Sequence, residues 1–437
     1  MPDLFAPQAA VKKHDRGKQK QERASGPHPS AEISLPQLGF AAPSHFHLGD
    51  RWVQSSLDFL DEDHLLFTFR VPGLVMREHP EAGADPSEER NIRAMVLSLP
   101  SGRIEAEALW RLHDYATYLW TLPGGRFLLR DRNLLQIGNA SLQLEPFLRF
   151  PGPVRYIELD PEEKMLVTQN IERRPDAAAN GEGSIAGDIA SNFSGASGAD
   201  SNAASVLPMP GSPTHSPAAR SADTANYLRV FRMNDRKILT TIQIPNGIAH
   251  VPIDGHGYYD AARGQGASWE ILYHGFGGSE SRVSRIDSAC MPPLDPLAPG
   301  IVLVSACNDS GGRHLIALTR DGQRLWDTQL SATHVWPILT TSANGRRLAR
   351  ATLDITHPVT PSSPLDSEDI HSQTIQVFDV ATGRVAITGP AAPILDGGGN
   401  FALSPSGNRF AVLNAGSIQV YDLTPAPPLP AVETGSP

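Results

Sequence analysis

Apolar and polar positions alternate in short bursts along this chain, and the bursts come in pairs. In FALSPSGNRFAVLNAGSIQVYDL (401–423), two apolar runs flank Pro405-Ser406-Gly407-Asn408, residues suited to a tight reversal. Ile418, Val420 and Leu423 then recur at near-alternate positions, as a strand with one buried face requires. The pattern predicts a hairpin followed by a third strand. The same cadence returns at 117–131, 156–170 and 338–353, more faintly at 55–69, and again at 249–261 and 293–306. With turns near Asp61, Pro123, Pro161, Asp254, Pro299, Ala343 and Pro405 as anchors, the intervals are 62, 38, 93, 45, 44 and 62 residues. Each long interval holds a polar stretch without strand pattern (72–91, 175–225 and 354–372), and setting these aside leaves 42, 42 and 43.

A repeating four-strand unit of this length cannot bury both faces alone and does so by stacking around an axis. The prediction is an all-β fold, a seven-bladed β-propeller of four-stranded antiparallel blades. Outer hairpins are visible in TIQVFDVATGRVAIT (374–388), turning at Ala381-Thr382-Gly383, and LIALTRDGQRLWDTQL (315–330), turning at Asp321-Gly322. In these phrases, VFDVATGR above all, the chain resembles the seven-bladed WD40, YVTN and quinoprotein-like propellers over about residues 50 to 423. No blade carries a full Gly-His to Trp-Asp signature, so the resemblance implies a fold and not an activity. The irregular spacing of GQGASWEILYHGFGGSESRVSRI makes blade four the least regular unit, with a six-bladed or partly open ring as the alternative.

The last blade runs out at SIQVYDL, before the proline-rich TPAPPLPAV. An open edge there invites aggregation, so residues near Ile33 to Phe40 are expected to supply its outermost strand. The domain plan is a basic disordered tail (1–30), one propeller domain (31–424) with a disordered insertion (175–225), and a proline-rich tail (425–437). SEERNIRAMVL (87–97) has a short helix as its alternative reading.

All three insertions fall between a blade's second and third strands, so blades one, three and six project extra chain from one rim. They hold 14 acidic and 3 basic side chains, in a chain whose net charge is -10. That disfavours nucleic acid, whose binders need clustered Lys and Arg, and favours a basic partner or cations. No run approaches the roughly 20 apolar residues of a membrane span. A soluble monomer is expected.

Candidate chemistry is sparse. The sequence has no C-x-x-C, H-E-x-x-H, P-loop or G-x-S-x-G, and GGGNFA (397–402) precedes a strand rather than a helix. No cofactor and no metal site are expected. Trp326, in a phrase like the tryptophan repeat of quinoprotein propellers, reads as blade packing. His113, Arg155, His250 and His334 precede innermost strands and are candidate ligand-binding groups at the channel mouth. His45 and His47 share a strand face by spacing, and Asp366, Glu368 and Asp369 lack the glycine turn of a calcium loop. Cys290 and Cys307 flank the Leu297–Gly300 turn symmetrically, which allows a disulfide across a regular hairpin. A lasting bridge implies an oxidising compartment, whereas MPDLFAPQAAVKKHDRGK has no apolar signal core; the reading leans to export.

The functional expectation is a noncatalytic propeller scaffold binding a protein or ligand through the insertion-bearing face. The alternative is a propeller enzyme (hydrolase, lyase or quinoprotein-type oxidoreductase) with its site at the channel mouth.

Overall fold

The computed structural model describes residues 28–41, 55–71, 90–113, 117–173, 224–244, 249–308, 312–359, 365–395 and 397–431. The expected basic tail up to residue 27, His45 and His47, and most of the insertions at 72–91 and 175–225 lie outside the described residues.

Strand β1 (Ala31–Ser34) comes first in the chain but belongs to the last blade. Blade one is β2 (Ser55–Phe59), β3 (His64–Arg70), β4 (Arg90–Ser98) and β5 (Arg103–Leu112); blade two is β6 (Leu119–Leu122), β7 (Arg126–Asp131), β8 (Leu134–Gly138) and β9 (Leu144–Arg149). Blade three is β10 (Val154–Leu159), β11 (Met165–Arg173), β12 (Thr224–Arg232) and β13 (Ile238–Ile244). Blade four has β14 (Gly257–Arg263), β15 (Ser268–Gly275) and β16 (Glu280–Asp287). Blade five is β17 (Leu294–Ala298), β18 (Ile301–Cys307), β19 (Arg313–Thr319) and β20 (Arg324–Leu330). Blade six is β21 (His334–Thr341), β22 (Arg347–Ile355), β23 (Ile370–Asp379) and β24 (Val385–Pro390). Blade seven is β25 (Phe401–Leu403), β26 (Arg409–Asn414) and β27 (Ser417–Asp422), finished by β1. The fold is a seven-bladed β-propeller, and the described part of SEERNIRAMVL, residues 90–97, lies in strand β4 rather than a helix.

Each anchor turn joins the first and second strands of a blade. Second strands such as β3 and β22 are buried on both faces, so β3 reads as a nearly continuous apolar run and β22 buries even its Arg and Thr side chains, while edge strands alternate. Seven apolar clusters each draw side chains from two adjacent blades, one cluster per seam, so the ring is continuous. Trp326 packs in the seam between blades five and six, its Nε1 donating to the Val380 carbonyl at 2.7 Å.

Closure uses both a strand and a plug. β1 pairs antiparallel with β27, from Ala31 opposite Val420 to Ser34 opposite Ser417. Pro36 ends the strand, and a single 3-10 turn then carries Leu38 and Phe40 into the seam between blades seven and one. There Phe40 meets Phe67 and Phe69 edge-on, with centroids 5.5 and 5.2 Å apart.

Blade four departs from the pattern at the opposite edge. Its innermost segment, Val251–Ile253, pairs with β14 through an isolated bridge from Ile253 to Tyr258 and a bond from the Tyr259 N–H to the Pro252 carbonyl, while the Val251 N–H donates to Glu158 at 3.4 Å. Pro252 has no N–H to extend that ladder.

Antiparallel order places the three insertions on the same face as the crossovers between blades. That insertion face is opposite the face formed by the anchor turns. The described part of the third insertion is not wholly polar: Leu365 and Val359 pack with Leu353, Ile355 and Ile370 in a small cluster of their own. Beyond β27, Thr424 accepts a bond from Arg347 and Leu429 packs on the seam between blades five and six, so the proline-rich segment lies along the anchor-turn face.

Candidate functional site

All four polar residues singled out in the sequence stand at the insertion face, where one blade crosses to the next, but no two of them share a network. His113 follows β5 and bonds the Asp131 carboxylate through both its backbone N–H and Nδ1, each at 3.0 Å. His334 opens β21, with Nε2 3.4 Å from Asp354. The Arg155 side chain is exposed on β10. Among the described residues, no hydrogen bond or ion pair joins any two of His113, Arg155, His250 and His334, and no group of three or more His, Cys, Asp or Glu is placed to hold a metal.

His250 sits in the richest of these networks. Tyr156 and Glu158 alternate with Ile157 on inner strand β10; Ile157 packs in the seam between blades two and three, so the other two face blade four. The Tyr156 hydroxyl donates to Glu158 Oε2 at 2.7 Å. His250 Nδ1 lies 2.8 Å from the Tyr156 oxygen and 3.1 Å from Glu158, while Nε2 donates to the Leu294 carbonyl at 2.8 Å. One imidazole thus ties blade three to blade five across the place where blade four lacks a regular inner strand. Asp295, the next residue on β17, is near enough to act electrostatically on His250, Glu158 and Tyr156.

The electrostatics follow from that grouping of acids around His250, whose own side chain is 43% exposed. Desolvation opposes charge on His250, but Glu158, Asp295 and the Leu294 carbonyl outweigh it and raise its pKa to about 10. With both ring nitrogens donating, the side chain is an imidazolium at neutral pH. Burial raises the Asp295 carboxyl above its ordinary range, and it raises Asp58 on β2 to about 6 against the opposing Ser56 hydrogen bond. Tyr156 is raised by burial and by Glu158.

The sequence reading missed Tyr156, Glu158, Asp295 and Asp58. Its available signal was the polar pair spaced by two in VRYIEL; the contact to His250, 94 residues away, depends on the curvature of the ring.

Cys290 and Cys307 form a disulfide with Cα atoms 5.6 Å apart. The bridge does not cross a regular hairpin, because a bulge shifts the pairing at Pro296–Ala298. Instead it fastens the crossover ahead of β17 to the end of β18. Asp366 and Asp369 cap a short 3-10 turn, where Asp369 also pairs with His357. On the anchor-turn face an open depression of about 660 Å³ is lined by Asp61, Glu62, Gly124, Gly125, Asn139 and Pro405. Its carboxylates are engaged, Asp61 by His64 and Glu62 by the Ser406 N–H.

No protein-family model and no curated protein matches this chain. Among solved structures it is similar to an acylaminoacyl peptidase of Pyrococcus horikoshii, at 10% identity over 86% of this chain and 52% of that one, with a TM-score of 0.46. The chain spans about half the length of that peptidase. It is similar also to a chain of a mitotic checkpoint complex, at 10% identity over 95% of this chain and 99% of that one (TM-score 0.41). A third is Hsv2p of Kluyveromyces lactis, at 12% identity over 68% and 71% (TM-score 0.33). At such identity the chemistry of those proteins stays with them.

Proposed function

We propose that this protein is a noncatalytic propeller that binds a protein partner through its insertion face. The observation carrying this reading is positional: blades one, three and six each open into an insertion at the same loop, between β3 and β4, β11 and β12, and β22 and β23. Independent surface drift would scatter insertions over both faces, whereas a shared rim builds one composite surface on a rigid ring. The acidic excess of the three segments favours a partner with a basic contact surface.

The enzyme reading has the Tyr156–Glu158–His250 network in its favour. Against it, both His250 nitrogens are donors in existing bonds and the imidazolium persists at neutral pH, leaving no lone pair for proton abstraction. The network fits a positioning role better.

Site-directed photocrosslinking in the cell of origin tests the binding reading. A photoreactive residue at Arg155 or His371, on the insertion face, is expected to give a discrete crosslinked species; one at Ser101 or Ala343, on the anchor-turn face, is expected to give none. Crosslinks confined to Ser101 and Ala343 would overturn it.

A further inference from the structure

Two well-buried arginines of this propeller have carboxylate partners, whereas Arg350 on blade six has none among the described residues. Arg347, fully buried, pairs with Asp379, and the largely buried Arg229 pairs with Glu172 at 2.7 Å. Arg350, three residues along β22, is 5% exposed and has no ion pair among the described residues. Its Nη2 donates to the Gln376 side-chain oxygen and its guanidinium lies 4.9 Å above the Phe378 ring. Its Nε and Nη1 are buried with no acceptor among the described residues. Desolvation lowers its pKa to about 10, so it remains a cation at neutral pH.

The surroundings are polar. Arg350 stands on the same face of β22 as Leu348, and so points into the seam between blades five and six. The lower part of that seam is apolar, while its upper part brings in Ser305 and Thr352, which are 4% and 3% exposed. Across it, Arg313 at the start of β19 shares a face with Leu315 and Ala317; it too is desolvated and lacks an ion pair among the described residues. The nearest acid along β22, Asp354, is already engaged by the Ser372 and Thr374 hydroxyls, each at 2.6 Å, and by His334. A buried cation without a counter-charge is costly, and donors left without acceptors add to that cost.

We propose that the upper half of the seam between blades five and six binds a small oxyanion, with Arg350 as its principal ligand and Arg313 as the charge that draws it in from the insertion face. The chemistry is that of a phosphate, sulfate or carboxylate group accepting charge-assisted hydrogen bonds from a guanidinium. This site is independent of the partner surface proposed above.

Thermal unfolding of the full chain at constant ionic strength, with chloride exchanged for phosphate, sulfate or acetate, tests it. The wild type is expected to show a saturable rise in Tm with at least one of these anions, and Arg350→Met, which keeps the aliphatic stem against Phe378, is expected to lose it. Equilibrium dialysis with labelled phosphate, sulfate and acetate provides the second readout: one equivalent bound, and affinity weakened about tenfold or more in Arg350→Met. Saturation by acetate alone would assign the site to a carboxylate; saturation by phosphate or sulfate would assign it to a tetrahedral anion. A wild-type response equal to the variant's, or none that saturates, overturns the proposal.

Discussion

Blades four and seven both lack something that the other five blades have, but at opposite edges of the sheet. Blade seven lacks a fourth strand from its own stretch of chain, and β1 is brought from the far end of the sequence to supply it. Blade four lacks a regular first strand, and among the described residues no distant segment replaces it; an imidazolium and a few backbone bonds span the gap. The outer edge of a blade faces solvent as a row of unpaired donors and acceptors, so leaving it open invites other chains. The inner edge faces six neighbours and the axis, so polar side chains can complete it. Closure at the rim is therefore the stronger requirement.

The largest effect expected from this contrast is at the rim. Removing residues 1–40 strips β1 and withdraws Ile33, Leu35, Leu38 and Phe40 from the seam between blades seven and one, at a cost on the order of 10 kcal/mol by apolar burial. Loss of the cooperative unfolding transition, with aggregation, is the expected result in a denaturant titration. Phe40→Ala alone should cost about 3–4 kcal/mol, measured as a lower denaturation midpoint at an unchanged slope.

Effects at the inner edge should be smaller and depend on pH. Folding raises Asp58 from 3.8 to about 6, so its ionised form opposes folding above pH 6 and the penalty disappears as pH falls towards 3.8. Asp58→Asn should therefore stabilise the protein by about 2 kcal/mol at pH 8 and be neutral near pH 4. His250 has the opposite sign. Its folded pKa of about 10 lies above the ordinary 6.5, so its contribution is complete below 6.5 and is lost as pH rises through about 10. His250→Gln should cost about 1 kcal/mol at pH 6, and the gap to wild type should close above pH 10. A cost at pH 6 as large as that of Phe40→Ala would break the comparison.

Much of the architecture was legible because its signals are local. Asp, Pro and Gly at the seven anchor turns mark reversals whose chemistry does not depend on the rest of the fold, and the spacing between them sets the blade count. The need for a closing strand followed from a deficit, the proline-rich run after Leu423. What stayed hidden depends on long-range geometry. Nothing in AHVPIDGHGYYDA distinguishes a regular inner strand from a single bridge except Pro252. The pairing of His250 with Glu158 and Leu294 needs blades three and five to converge over blade four. In the third insertion, Val359 and Leu365 have no period to announce the small cluster they join.

The most direct measurement is amide hydrogen exchange at Ile418–Asp422 of β27, in the intact chain and in a chain lacking residues 1–40. Protection as strong as that of β22 in the intact chain, lost first at β27 on truncation, is the predicted result. Equal protection of β27 with and without the N-terminal strand would contradict closure at the rim.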